Sequence, residues 1–255
     1  MNPDFVKKYF SSNKDVVYWW NPEEDIMAPI YQRGLMKVIE ILSRHCSKGS
    51  MIFDAACGKG RLSKKLADFY KVTAYDISEE MLNYVRVLEL SNVDAVKGDL
   101  EDIPFSQNYF DAIICLESFV HLPDIERVLG EFYRLLKPGG ILIFNFDNKY
   151  GLTRMLKDFL DYFLIKKDEV YKEKRDKRKI IFRPLARKKI VSLLNKKKFI
   201  LKKTLFLGVF VPFAIKNHFI VSRKLFRYIS WLNLILERTP FIRRLSTYVY
   251  LVCQK

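Results

Sequence analysis

Short apolar runs alternate with amphipathic stretches through the first 150 residues. "PIYQRGLMKVIEILSRHC", residues 29–46, places apolar side chains at 31, 35, 38, 39 and 42, a spacing that predicts a helix with one buried face. "SMIFDA" reads as a short buried strand, followed by a glycine turn and a helix through "RLSKKLADFY". "KVTAYD" is the next strand, ending on Asp76. "SEEMLNYVRVLEL" opens with Ser78 as the expected N-cap and acids in its first turn, both favourable at a helix start. "VDAVKGD" predicts a third strand ending on Asp99 and "YFDAIICLES" a fourth. "DIERVLGEFYRLL" is a helix stopped by "KPGG", and "ILIFNFD" a fifth strand. Strands alternating with helices at this interval predict an α/β fold with a doubly wound, Rossmann-like parallel sheet.

The pattern changes after residue 150. "GLTRMLKDFLDYFLI" is helical in its spacing, whereas "KKDEVYKEKRDKRK" is too charged for a core and reads as a solvated loop or exposed helix. "PLARKKIVSLLNKKKF" predicts a helix running into a strand, "FILKKTLFLGVFV". Residues 217–237 form an amphipathic segment, and "STYVYLVCQK" a closing strand. The expected organisation is an N-terminal lid and ligand-binding core over 1–150, with a basic, apolar cap over 151–255 that also completes the sheet.

Charge sharpens that division. Residues 1–150 hold 18 Lys+Arg against 22 Asp+Glu, net −4, while residues 151–255 hold 27 against 7, net +20. Such asymmetry suits an anionic partner for the second half: nucleic acid, a membrane surface or an acidic substrate. The four cysteines, Cys46, Cys57, Cys115 and Cys253, form no CxxC pair, which fits a reducing cytoplasm and offers no zinc or disulfide framework. No metal site is expected. The longest apolar run, "LFLGVFVPFAI", has 11 residues, whereas a spanning helix needs about 20, so no transmembrane segment is expected.

The stretch "IFDAACGKGRL" carries the chemistry, because glycines between a strand and a helix let a ligand approach the backbone. A phosphate-binding loop of the GxxxxGK[ST] kind is excluded, since Lys59 precedes the second glycine. A dinucleotide fingerprint is imperfect: Ser63 stands where the third glycine belongs. The acids say more. Asp54 ends the first strand, Asp76 ends the second, 16 residues past Gly60, and Asp99 ends the third. In an open α/β sheet these strand ends face one crevice. There Asp76 can accept the hydroxyls of a ribose and Asp99 an adenine amino group, whereas three carboxylates would serve a pyrophosphate poorly.

With "IFDAACGKGRL", "VTAYDISEEML", "VKGDLEDIPFSQNYFDAIICLESFVHL" and "EFYRLLKPGGILIF" in this order, the chain resembles the class I S-adenosylmethionine-dependent methyltransferases, in particular the broad small-molecule family that includes the ubiquinone/menaquinone-type enzymes. The resemblance implies a seven-stranded, mostly parallel sheet with a reversed last strand, and S-adenosyl-L-methionine as cofactor. It implies that Asp54, Ala56, Gly58 and Gly60 line the methionine and ribose part of the cofactor, Asp76 and Ile77 the ribose and adenine, Asp99 and Leu100 the adenine, and Cys115 the methionyl end. Ala56 stands where the family has glycine; alanine is tolerated at this turn if its φ stays negative.

For catalysis, His121 lies just beyond the fourth strand, near Glu117 and Ser118, and has a suitable ordinary pKa for a general base; Glu117 is a second candidate. Tyr18 and Trp20, in "VVYWWNPEED", are candidates for a lid over the site or a contact to the acceptor, and His121 is a further candidate for the acceptor contact. The expected reaction is methyl transfer to a small or lipid-linked acceptor at O, C or N. An RNA methyltransferase using the basic half is the alternative, although the motifs of base-amino and pyrimidine-carbon methylation are missing after the fourth strand. A non-catalytic binding protein of the same fold is a further alternative. In "NHFIVSRKLFRYISWLNLILER", read as a helix, Arg223, Arg227, Ser230 and Glu237 share one narrow stripe beside Lys224, and the rest is apolar. Such a helix packs on the sheet as part of the cap, caps a greasy substrate pocket, or lies at a membrane interface. The last adds peripheral contact at the inner membrane face to a cytoplasmic location.

Overall fold

The computed structural model describes residues 3–12, 28–164, 183–211, 214–215, 218–219 and 223–255. Tyr18, Trp20 and the "KKDEVYKEKRDKRK" stretch lie outside the described residues.

In chain order, the first half contains α1 (Pro3–Ser12), α2 (Ala28–His45), β1 (Met51–Ala55), α3 (Arg61–Leu66), β2 (Lys71–Asp76), α4 (Glu79–Arg86), β3 (Val93–Lys97) and β4 (Phe110–Cys115). A short 3-10 turn (Phe119–His121), α5 (Ile125–Leu135) and β5 (Leu136–Asp147) follow. The second half contributes α6 (Leu152–Leu164), α7 (Arg187–Lys196), β6 (Ile200–Leu207), a small pair β7 (Ala214–Ile215) and β8 (His218–Phe219), α8 (Arg223–Leu236), a second 3-10 turn (Ile242–Leu245) and β9 (Tyr248–Gln254).

Seven strands form one sheet in the order β3-β2-β1-β4-β5-β9-β6. The pairs from β3 to β5 are parallel, and β9 runs antiparallel to both β5 and β6. This is the Rossmann-like sheet with a reversed last strand. Both faces of the central strands are covered, which is why they read as continuous apolar runs. Ile52 and Ile114 point into the core shared with α2, while Phe53 and Ile113 point into the core shared with α5 and α7. β3, at the sheet edge, is only partly buried, and its sequence "VDAVK" is correspondingly mixed.

Helix starts follow the expected capping chemistry. Ser78 Oγ accepts the Met81 N–H ahead of α4, and the Asp124 side chain accepts the Arg127 N–H ahead of α5. The segment expected to be one amphipathic stretch over 217–237 divides into β8 and α8. The side chains of Arg223, Lys224, Arg227 and Ser230 lie outside the described residues, and Glu237 of the expected stripe faces the fold: its Oε1 accepts from Gly208 N–H at 2.7 Å and from Arg33 at 2.6 Å.

Candidate active site

The carboxyl ends of β1, β2, β4 and β5 open on one cleft of about 560 Å³. Asp54, Ala56, Gly58, Asp76, Ile77, Asp99 and Leu100 line it, as do Glu117 and His121. The three strand-end acids therefore meet, as the parallel sheet requires.

The turn after β1 is held by its acids. Asp54, 3% exposed, accepts from the Ser63 hydroxyl at 2.6 Å and from the Ser63 N–H at 3.1 Å, tying the strand to the first turn of α3. Burial nevertheless pushes its carboxyl up to about 7. Asp76 accepts the Gly58 N–H and the Ser78 N–H, each at 2.9 Å, so the end of β2 grips the glycine turn of β1. Burial raises its pKa too, against these amide bonds.

Ala56 departs from expectation. Its φ is +53°, in the left-handed region, so the turn was not adjusted to suit alanine; the alanine adopts the glycine conformation. Two other expected positions need correction. Gly60, φ +74°, does not line the cleft: a Cβ there would stand 2.8 Å from Val85 Cγ2, so this glycine serves the packing of α3 against α4. Cys115 is fully buried in the core beneath β4, behind the cleft wall, and it is Leu116 that faces the cleft. Alternation along the strand explains the exchange, since successive side chains point to opposite faces.

Gly58 supports a ligand directly against the backbone. Its φ is +54°, and nothing lies within 4 Å of where a Cβ would stand. An open cradle at a positive-φ glycine, flanked by Asp54 and by two acids at neighbouring strand ends, suits an adenosine joined to an amino acid. The residues present therefore fit S-adenosylmethionine: Asp76 to accept ribose hydroxyls, Asp99 an adenine amino group, Ile77 and Leu100 to flank the base.

At the other end of the cleft the sequence reading found only part of the constellation. Glu117 has φ +58°, and its N–H donates to Asn145 Oδ1 at 2.7 Å, while Asn145 Nδ2 donates back to the Glu117 carboxylate. Asn145 itself is fully buried. Two residues on, Asp147 ends β5 facing the cleft, and its register partner on β9 is Tyr248. Tyr248 and Tyr31 of α2 share a hydroxyl–hydroxyl hydrogen bond of 3.2 Å. Burial pushes Glu117 up to about 7; burial, and then the Glu117 charge, push Asp147 up to about 8. One clue to Asp147 was present: "ILIFNFD" ends on an acid like the earlier strands. Nothing in sequence linked it to Tyr31 or Tyr248.

α1 covers the mouth through Val6, Lys7 and Phe10. Lys7 Nζ lies 2.7 Å from Asp99 and 2.8 Å from Glu101, and the Phe10 ring sits 5.0 Å from that of His121. The lid role expected of Tyr18 and Trp20 concerns residues outside those described; α1 is the N-terminal element seen at the cleft.

Residues 53–144 match the model of the methyltransferase domain family. That span carries every strand-end acid of the cofactor end of the cleft, and the sheet around it has the order and the reversed strand expected of the class. Residues 53–144 carry a methyltransferase domain. It is 32% identical over 136 residues to a ubiquinone biosynthesis O-methyltransferase of Coxiella burnetii, covering 51% of this chain and 57% of that protein. It is 30% identical over 152 residues to a ubiquinone/menaquinone biosynthesis C-methyltransferase of Psychromonas ingrahamii, covering 54% and 60%. The chain thus aligns with less than two thirds of the length of these relatives. In fold, the methyltransferase domain and its C-terminal extension superpose on the magnesium protoporphyrin IX methyltransferase of Synechocystis PCC 6803, solved with bound SAH, with a TM-score of 0.66, 18% identity and 99% of each chain covered.

Proposed function

We propose that this protein transfers a methyl group from S-adenosylmethionine to a small or lipid-linked acceptor. The observation that carries this reading is the two-ended cleft. One end presents Asp54, Asp76, Asp99 and the Gly58 cradle, and the other presents Glu117, His121, Asp147 and Tyr248. The quinone-pathway relatives support an acceptor that is itself apolar or carries a lipid tail.

When bound, S-adenosylmethionine supplies the methyl group as an electrophile on a sulfonium. The residues of the chain perform the remaining tasks. Asp76 and Asp99 bind and orient through hydrogen bonds, and α1 excludes water by closing the mouth through Phe10 and Val6. Where the acceptor atom carries a proton, Glu117, held in place by Asn145, or Asp147, beside Tyr248, receives it; their raised pKa values suit either group to exchange a proton near neutral pH. His121, in the 3-10 turn under Phe10, is a third group able to take that proton.

The test is calorimetric titration with S-adenosylmethionine, repeated on Asp76→Ala. Binding by the wild type that disappears in the variant supports the proposal; no binding by correctly folded wild type rules it out. An assay of labelled methyl transfer to extracted lipids and to small phenols then separates an enzyme from a binding protein of the same fold.

A further inference from the structure

α8 is turned inside out. Along its described side chains, Tyr228, Trp231, Leu232 and Ile235 recur at i, i+3, i+4 and i+7, the spacing of one apolar helix face. In a helix packed on a core that face points inward. Here it points away: Tyr228 is 76% exposed and Trp231 66%, with Leu232 and Ile235 also exposed. The inward face is polar at its centre. Asn233, fully buried, donates to Phe210 O at 2.7 Å and accepts the Phe210 N–H at 2.9 Å, and Glu237 takes the Gly208 N–H and Arg33. Two side chains that satisfy backbone groups just beyond β6 thus fix the rotation of the helix, and with it the outward aim of its aromatic face.

The chain after α8 is likewise exposed, apolar and basic. Phe241 is 80% exposed, and Arg238, Arg243 and Arg244 are exposed around it. Ahead of α8's described side chains the sequence is again basic, with Arg223, Lys224 and Arg227. Large aromatic and branched side chains beside the exposed Arg238, Arg243 and Arg244 give the described part of this region two simultaneous preferences, for a nonpolar phase and for negative charge.

We infer that the outer face of α8 and the Phe241 turn dock on an anionic lipid bilayer, with Trp231 and Phe241 entering the headgroup boundary and Arg238, Arg243 and Arg244 at the lipid phosphates. Charge decides between the available occupants. A second copy of this chain would bring its own arginines against these, a like-charge contact that disfavours the pairing. RNA would satisfy the arginines but leave the aliphatic side chains Leu232 and Ile235 in water. An anionic membrane satisfies both. Among the described residues no helix is long and apolar enough to cross a membrane, so the contact lies on the surface. The inference goes beyond the methyltransferase proposal and does not depend on it, although a membrane-seated cleft would meet a lipid-linked acceptor without extracting it.

The test is flotation of the full chain with vesicles of equal parts phosphatidylglycerol and phosphatidylcholine, against phosphatidylcholine alone. Binding is expected only to the anionic vesicles, to weaken with salt, and to fall about tenfold in Trp231→Ser/Phe241→Ser and again in Arg243→Glu/Arg244→Glu. These side chains are exposed, so the variants retain the fold, and calorimetry with S-adenosylmethionine reports separately on the cleft. Three results would overturn the inference: no flotation of the wild type at low salt; flotation unchanged in both variants; or binding to homopolymer RNA, or a dimer dissolved by Trp231→Ser, without flotation.

Discussion

Glu117 and Asn145 are joined by two reciprocal hydrogen bonds: the Glu117 N–H donates to Asn145 Oδ1 at 2.7 Å, and the Asn145 amide donates to the Glu117 carboxylate. The pair links the chain leaving β4 to the carboxyl-end part of β5 and holds Glu117 at φ +58°, a backbone region that a glutamate rarely occupies. Strain of this kind persists where the surroundings impose it, and it marks a site whose side chain must be aimed.

Asn145→Ala removes both bonds and leaves a backbone N–H without its acceptor. A loss of about 1–3 kcal/mol in unfolding free energy is expected by urea titration. In methyl-transfer assays the same variant is expected to lower kcat more than it raises the Kd of S-adenosylmethionine, because Glu117 lies at the proposed acceptor end of the cleft. Equal effects on both would mean that Asn145 acts only on the fold.

Asp54 gives a pH dependence whose sign is fixed by its environment. Its folded pKa, about 7, lies above the ordinary 3.8, so the buried carboxyl favours the protonated form. The contribution is fully present below about pH 4 and is lost as pH rises toward 7. Relative to Asp54→Asn, the wild type without cofactor is therefore expected to lose stability between those limits. Thermal unfolding of the two proteins across that range checks it, and a constant difference in Tm would contradict the assignment.

Ala56 occupies a left-handed turn that glycine adopts without steric cost. Ala56→Gly is expected to raise stability by about 0.5–1 kcal/mol, the steric relief exceeding the added freedom of the unfolded chain. Binding of S-adenosylmethionine should be unchanged or slightly tighter. Chemical denaturation and calorimetry measure the two effects.

Gly34 lies on the face of α2 that meets β9. A Cβ at that position would stand 2.1 Å from the Tyr250 hydroxyl oxygen, and Tyr250 is itself buried. Although alanine is the better helix former, Gly34→Ala is expected to cost about 1–3 kcal/mol through overpacking. An unfolding midpoint equal to or above that of the wild type would show that the tyrosine moves aside freely.

The parallel half of the sheet and the cofactor end of the cleft were legible in the chain itself. Periodicity marked β1 to β5, Ser78 marked the start of α4, and acids at three strand ends marked the crevice, because each of these signals is local: a cap, a turn or a run of a few residues. Cys115 and Gly60 were misplaced for a related reason. A motif identifies a stretch of backbone, but strand alternation and helix packing decide whether a given side chain faces the ligand or the core.

The acceptor end of the cleft was decided by tertiary structure. β9 enters between β5 and β6 in the reverse direction, setting Tyr248 opposite Asp147 and Tyr250 opposite Asn145, about a hundred residues apart in sequence. α2 then brings Tyr31 against Tyr248, and α1 brings Lys7 against Asp99. The sequence likewise showed α8 to be apolar and basic without showing which way it faced. Hydrogen bonds that Asn233 and Glu237 make with one stretch of backbone set that orientation, and a one-dimensional pattern carries no record of which of two helix faces will find such a partner.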